Sequence, residues 1–476
     1  MASSVPNPVV VTGAFERHNF GDLLMGRIVE FFLRARGLTP LPASLLAADH
    51  RRVGGAWVQA IADLAPLLSP EVPIVHVGGE TIPCTLRDGL RMNIPASWPR
   101  QLAARLASEP DPTGLETREF AYLTPPAERI RGRDHIWLHR FFHGQGASTL
   151  GERDATTRES IGPLLRDAEW LTARDERSVA SLRAAGASGA RFAWDCAVLQ
   201  PCLGPRGFDA LDHWEPPPSH GPLLVHAQAG FLERHTETLA RQLAAVAGRF
   251  DGIRIGLAGL AANHDTVASA EGLARTLAAL GCRVDFTGAH HVDAIVAGIK
   301  NAACVVSTSL HYRIIALTHG VPRVSLDNAK TANWAGSCDP EFPAGCAAEH
   351  VADAVTQALS VPPFKAAPHA IEARRQARAS LEELVEMVAR RATAPDARCS
   401  LPNDSPDGRL PLPPDHAVLP QAWIDAVGAY CDLTAAGKTS AEADKQDARE
   451  ESRRLRDELR EIRRSAPGRL ARWFRK

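Results

Sequence analysis

Short apolar runs alternate along this chain with amphipathic stretches, and nearly every run stops at a polar or glycine-rich loop. Pro8-Val9-Val10-Val11-Thr12 opens the series. It breaks at Gly13 and leads through the polar loop Glu16–Asp22 into a helix predicted from about Leu23 to Arg36, closed by Gly37. An unbroken apolar run of this kind predicts a strand covered on both faces. The next such strand is Val72–Val77, stopping at Gly78-Gly79-Glu80. A third ends near Ile136-Trp137-Leu138, before His143-Gly144-Gln145-Gly146. Leu164–Thr172 leads to Arg174-Asp175-Glu176 and a helix Ser178–Ala185 closed by Gly186, and Phe192–Asp195 gives one more short strand. Strands alternating with helices predict a parallel sheet.

Around Pro201–Gly221 the pattern is interrupted by Gly204-Pro205-Arg206-Gly207 and Pro216-Pro217-Pro218, which reads as an interdomain linker. Alternation then restarts. Strands are predicted at Leu223–Val225, Ile253–Leu257, Arg283–Phe286, Ala303–Val306 and Val324–Leu326. Helices are predicted at Arg234–Ala247, Val267–Leu280 and Val292–Asn301, with a long one over Pro368–Ala392. The expected organisation is α/β: residues 1–205 and 220–365 as two parallel-sheet domains, 366–394 as a helix packing back on the body, 395–440 as a Pro-rich linker with a short helix, and 441–476 as a charged helical tail. A cleft between two such halves is a favoured place for ligands.

Composition narrows the class. At 476 residues, 45% apolar and formal net charge −1, the chain has no global basic field to recruit nucleic acid. Nine cysteines without a C-x-x-C pair point to reduced thiols rather than a disulfide framework or zinc site, with Cys304 as buried strand packing. No signal-peptide pattern opens the sequence, and no apolar run reaches the roughly 18–20 residues needed to cross a bilayer. A cytoplasmic protein is therefore expected. In the tail, Arg449–Arg464 reads as a charged helix, and Arg463–Lys476 surrounds Leu470, Trp473 and Phe474 with basic residues. That end suits either an anionic membrane surface, at the inner face of the cytoplasmic membrane, or plain solvation.

Four loops carry chemistry. In Asn19-Phe20-Gly21-Asp22, Gly21 permits close backbone approach, Asn19 can donate and accept, and Asp22 is a candidate helix cap. Gly78 and Gly79 make a tight turn presenting Glu80 as a cleft carboxylate. Asp175 and Glu176 suit a helix N-terminus, whereas Arg174 is free to hold a carboxylate. In Ser307-Thr308-Ser309-Leu310-His311-Tyr312-Arg313, short hydroxyl residues meet a helix N-terminus, which favours anions, and His311 and Arg313 stand at the lip of the cleft. Lys330 lies at the end of the next strand and is expected to face the same site. No HExxH, Walker A, Gly-x-Ser-x-Gly or zinc spacing is present.

Taken in order, Asn19–Asp22, Gly78-Gly79, Arg174-Asp175-Glu176-Arg177-Ser178, Asp195, and Leu310-His311 running on to Ala316–Pro322, followed by Lys330, resemble the polysaccharide pyruvyl transferase family over about residues 8–335. The resemblance implies two Rossmann-like, GT-B-like halves. It also implies transfer of pyruvate from phosphoenolpyruvate, as co-substrate, onto a saccharide acceptor as a ketal, with no resident cofactor or metal. His311 is then the candidate for acid/base work, and Arg313, Lys330, Arg174 and Ser309 for the donor. Asn19, Asp22 and Glu80 are the candidates for the acceptor, with Gly21, Gly78 and Gly79 shaping the backbone. Ser309 stands where many members carry arginine, so either Arg313 supplies that charge or the donor is held differently. Two other readings stay open: a nucleotide-sugar glycosyltransferase on the same plan, and a non-catalytic glycan- or partner-binding homologue.

Overall fold

The computed structural model describes residues 3–93, 120–130, 133–261, 264–286, 288 and 290–401. Pro8–Thr12 lies near the middle of an eight-stranded sheet. Thr39–Ser44, Trp57–Ala60 and Ala48–Asp49 follow on one side, and Ile74–Val77, Arg140–Gln145, Trp170–Ala173 and Arg191–Phe192 on the other. All its pairings are parallel except Ala48–Asp49 against Trp57–Ala60. A second, wholly parallel sheet runs Val284–Phe286, Ile253–Ile255, Leu223–His226, Cys304–Ser307, Arg323–Ser325. In each sheet the first strand is central and the chain reverses direction beside it. Ligands bind at such switch points in open α/β sheets, outside the strand C-termini. The two parallel sheets are those the alternation predicts, and they correspond to the two Rossmann-like halves that the resemblance implies.

Several elements differ from expectation. The strand Thr39–Ser44 escapes notice because Pro40 and Pro42 suggest a loop. Thr39 N–H donates to Asn7 O, so the alternate prolines turn their missing N–H to the other side, where pairing begins only at Ala43. The third sheet strand is Arg140–Gln145 rather than a run ending at Leu138; Arg133–Ile136 instead pairs antiparallel with Ala127–Ile130. Polar residues disguise the true strand. Gln145 is buried and satisfied there, donating to His76 O and accepting from Thr81 Oγ1. The opening helix is Phe20–Ala35, starting earlier than its apolar spacing suggests because Asn19, not Asp22, is its cap. The segment Arg174–Glu176 precedes a helix Glu176–Ala184 whose cap is Asp175, accepting from Ser178 N–H at 2.7 Å.

One hydrophobic core crosses the two halves. Phe20, Leu24, Ile28 and Leu33 of the opening helix share it with Ile314, Ile315 and Leu317 of the helix Leu310–Thr318. The expected linker begins as a buried 3-10 segment, Cys196–Leu203, wedged into that core. The last described helix, Pro363–Ala392, returns to the first half and lays Ala370, Ala373, Ala377, Leu381, Leu384 and Val388 on it. Burying a large aliphatic side chain contributes about 1.5–3 kcal/mol, so this shared core fixes the halves relative to each other. Among the described residues all eight recorded cysteines are free and no helix is long and apolar enough to cross a membrane. The helical tail and its basic aromatic end, at residues 441–476, lie outside the described residues.

Buried histidines link this core to pH. His76 stacks on Phe142 at 4.1 Å and bonds both ring nitrogens, to Tyr122 O and Thr124 Oγ1. Burial pushes it down to about 3, and His143 likewise to about 4. An unfolded histidine takes up its proton near pH 6.5, so these folded values are depressed. Their neutral forms stabilise the fold above that pH, and the contribution falls as pH drops toward the folded values. The unfolding free energy is expected to decline steadily between about pH 6.5 and pH 4, by up to about 1.4 kcal/mol per pH unit for each such histidine, and the thermal midpoint falls with it. His76→Gln should flatten that slope in calorimetric melts; an unchanged slope would show that His76 does not stay neutral in the fold.

Candidate active site

The loops at both switch points meet face to face. Phe20 N–H, at the start of the opening helix, donates to Ala258 O of the second half at 2.8 Å. His18 continues the seam, accepting from Leu260 N–H through Nδ1 and donating to His290 O through Nε2. The second-half loop is itself pinned from below. Asp265 accepts from Ala258 and Gly259 N–H and pairs with His226 Nε2 at 3.0 Å, while His226 Nδ1 contacts Ser307 Oγ at 2.9 Å. Ser307 Oγ also accepts from Ser309 N–H, and Tyr312 stacks on His226 and donates to Leu257 O. This buried network sets the turn that carries His311. Sequence reading missed it because its members lie on three separate strands and loops.

His311 projects from the first turn of Leu310–Thr318 onto the backbone of Gly21, where a Cβ would overlap the imidazole ring. The ring is only 4% exposed, and Nε2 has no hydrogen-bond partner. Asp195 Oδ2 lies 3.8 Å from it and also 3.6 Å from Arg174 Nη1. Arg174, fully buried, donates through Nη2 to Glu80 Oε2 at 3.1 Å. Glu80 Oε1 accepts from Ser148 Oγ, Thr149 N–H and Thr149 Oγ1. Gly146 makes this pairing possible, since a Cβ there would overlap both Glu80 Oε2 and Arg174 Nη2. Gly78 and Gly79 turn with φ of 44° and 76°, a left-handed backbone that suits glycine.

Electrostatics divide these groups by protonation. Burial, with Arg174 and Lys330 nearby, holds the His311 imidazole well below its ordinary value, so it is neutral. Burial would raise the Glu80 carboxyl, but Arg174 and Lys330 bring it below the usual range. Burial lowers the Lys330 ammonium, opposed by Glu80 and Asp22. Lys330 is half-buried in the first turn of the helix Ala329–Cys338, and its charge acts on Glu80, Asp195 and His311.

The remaining predicted residues divide. Asn19 Oδ1 accepts from Gly21 N–H as the helix cap, and Asp22 lies 3.5 Å from Arg17 Nη2, so both sit at the first-half wall. Ser309 occupies the N-cap of Leu310–Thr318 without a side-chain cap bond. Arg313 does not join them. Its guanidinium points away, donating to Ser325 Oγ, Pro343 O, Asp339 O and Phe342 O and lying 2.7 Å from the Asp339 carboxylate. The helix repeat explains this: two residues after His311, a side chain faces roughly the opposite side. Arg17, with a buried Nε lacking a partner, is a cation near the wall that sequence reading passed over. Among the described residues no three His, Cys, Asp or Glu side chains converge as a metal-binding group. A cavity of about 440 Å³ lies elsewhere, over Trp170 and Arg191 near Met387.

Residues 138–330 match the polysaccharide pyruvyl transferase family. The match contains Arg174, Asp195, His311 and Lys330; Asn19–Asp22 and Gly78–Glu80 precede it. No curated protein matches the sequence. Among solved structures, UDP-GlcNAc 2-epimerase from Neisseria meningitidis is similar at 11% identity and a TM-score of 0.43, over 80% of this chain and 98% of that one. Sucrose-phosphate synthase from Thermosynechococcus elongatus is similar at 14% identity and a TM-score of 0.41, over 81% and 99%.

Two substitutions test this geometry. Gly21→Ala should improve helix propensity by up to about 1 kcal/mol, yet overpacking against His311 costs about 1–3 kcal/mol. A lowered melting midpoint is expected, and a raised one would show that the ring does not rest there. Arg313→Ala should destabilise the protein by about 3–5 kcal/mol, because it leaves Pro343 O, Asp339 O and Phe342 O without a donor, at about 1–3 kcal/mol each, while Arg323 still pairs the Asp339 carboxylate. If urea melts instead showed it to be as stable as the parent chain, its role as a buried strut would be refuted.

Proposed function

We propose that this pyruvyl transferase homologue moves pyruvate from phosphoenolpyruvate to two hydroxyls of a saccharide acceptor, forming a ketal. The observation that carries the reading is the trio of unsatisfied buried atoms, His311 Nε2, Asp195 Oδ2 and Arg174 Nη1, gathered at the meeting of two switch points within the family match. Buried polar groups without partners cost about 1–3 kcal/mol each, and a bound substrate that satisfies them returns that free energy. Arg174 and Lys330 supply cations for the donor's carboxylate and phosphate, and cations aimed at a leaving phosphate stabilise the transition state. The neutral His311 is in the form that accepts a proton from the attacking hydroxyl. Asn19, Asp22 and Glu80 form the wall where acceptor hydroxyls bind. The acceptor is a cell-surface polysaccharide or its lipid-linked precursor, met at the inner face of the cytoplasmic membrane.

A membrane extract from cells lacking the gene, mixed with the purified chain and phosphoenolpyruvate, should release phosphate and gain the mass of a pyruvyl ketal. His311→Gln should lower that rate by about 10²–10⁴-fold. Lys330→Ala should weaken phosphoenolpyruvate binding about tenfold, equivalent to about 1.4 kcal/mol. Release of a nucleoside diphosphate with sugar transfer, and no consumption of phosphoenolpyruvate, would replace this reading with glycosyl transfer.

A further inference from the structure

The proposed reaction needs two different proton movements. The donor's methylene carbon must gain a proton, and the attacking hydroxyl must lose one. His311 is suited only to the second, because it is already neutral in the folded protein. The first therefore needs another group within reach of the same point.

Asp195 meets that need. It is fully buried, and its two oxygens do different work. Oδ1 accepts from Ala197 N–H at 2.9 Å and caps the 3-10 segment Cys196–Leu203, which fixes the carboxyl in place. Oδ2 is held toward the site without a hydrogen bond, 3.8 Å from His311 Nε2 and 3.6 Å from Arg174 Nη1. Resting on the pyruvyl-transfer reading, we propose that Asp195 is the acid that protonates the donor's methylene carbon, and that His311 restores its proton at the end of each cycle.

The step balances. The Asp195 Oδ2–H bond breaks as the C2=C3 electron pair takes the proton at C3, leaving an oxocarbenium centre at C2. A hydroxyl oxygen of the acceptor bonds to C2 while His311 Nε2 takes its proton. The C2–O bond to phosphate breaks, the electron pair leaves with phosphate, and the second hydroxyl closes the ketal, its proton ending on phosphate. The imidazolium then returns its proton to Asp195. Two hydroxyl protons are consumed in all, one to the new methyl group and one to phosphate. The surroundings favour this direction: burial raises the Asp195 carboxyl above the usual range, against the opposing charges of Arg174 and Lys330, and it lowers His311. Arg174, Lys330, His311 and the thiols of Cys196 and Cys338 are the titratable or charged groups that face it.

Asp195→Asn tests the assignment, because the amide oxygen keeps the cap to Ala197 while removing the acid. Phosphate release with the membrane extract should fall about 10²–10⁴-fold, while calorimetry with phosphoenolpyruvate alone shows retained binding. Asp195→Glu should recover part of the rate. Wild-type turnover should decline as pH rises through the Asp195 titration, and the residual rate of the asparagine variant should lack that limb. Followed as pH rises, the infrared spectrum of the wild-type protein should show a protonated-carboxyl stretch that persists above the range of ordinary carboxylates and that Asp195→Asn removes. An active wild-type enzyme with an equally active Asp195→Asn variant, or with no such stretch, would overturn the assignment alone. A wild-type chain that never consumes phosphoenolpyruvate would overturn the parent reading and this assignment with it, even where the carboxyl stretch is present.

Discussion

The site depends on one contact: the imidazole of His311 resting on the bare backbone of Gly21. The two residues come from different halves, each in the first turn of the helix that follows a switch point. Only glycine lets those helix starts approach closely enough to place a histidine between them. The approach is held by the Phe20–Ala258 hydrogen bond above and the edge-to-face packing of Phe20 on His311 and Tyr312 beside it. Below, the wholly buried helix Leu310–Thr318 anchors in the core shared with the opening helix. The cleft is therefore a consequence of core packing, not a gap between independent domains.

Placing ionisable groups there is expensive, and the structure offsets the cost by pairing. Arg174 sits between Glu80 and Asp195, and the Glu80 carboxylate keeps its guanidinium charged despite burial. Glu80 in turn takes three donors from Ser148 and Thr149. An isolated buried charge changes its protonation state rather than stay desolvated. Here the arginine and Glu80 remain ionised, while His311 is driven neutral. Closely spaced groups with such divergent protonation are how one site performs acid and base steps at a single pH.

Much of this was legible in the sequence, and the failures have physical causes. The strands of the second half read to within two residues, because continuous burial leaves a continuous apolar record. The helix Ala229–Val246, by contrast, starts well before its expected Arg234, and the helices Ala329–Cys338 and Val351–Ser360 were not read. The first half reads less well where a strand carries polar or proline residues whose partners are distant: Gln145 is satisfied by His76 and Thr81, and Pro40 and Pro42 by an unpaired strand edge. The motif loops were found because glycine and charged residues at strand ends stand out locally. Their supports were not, since His226 and Asp265 look ordinary until the fold brings them to Ser307.

The contrast between two arginines shows why a charged residue near a motif is not enough to identify a ligand site. Arg313 follows His311 by two residues and carries the same charge as Arg174. Its two terminal nitrogens make four hydrogen bonds, and Asp339, shared with Arg323, neutralises it. Its Nε makes no hydrogen bond but lies 2.7 Å from that same carboxylate, so the scaffold engages every nitrogen of this guanidinium. Arg174 makes one side-chain hydrogen bond among the described residues and leaves Nε and Nη1 unsatisfied, beside an imidazole and a carboxyl group in the same condition. A guanidinium has five donors, and a fold that buries it with most of them idle leaves room for a ligand's oxygens. The unfilled donors, rather than the sequence spacing, make Arg174 the candidate for a ligand and leave Arg313 to the scaffold.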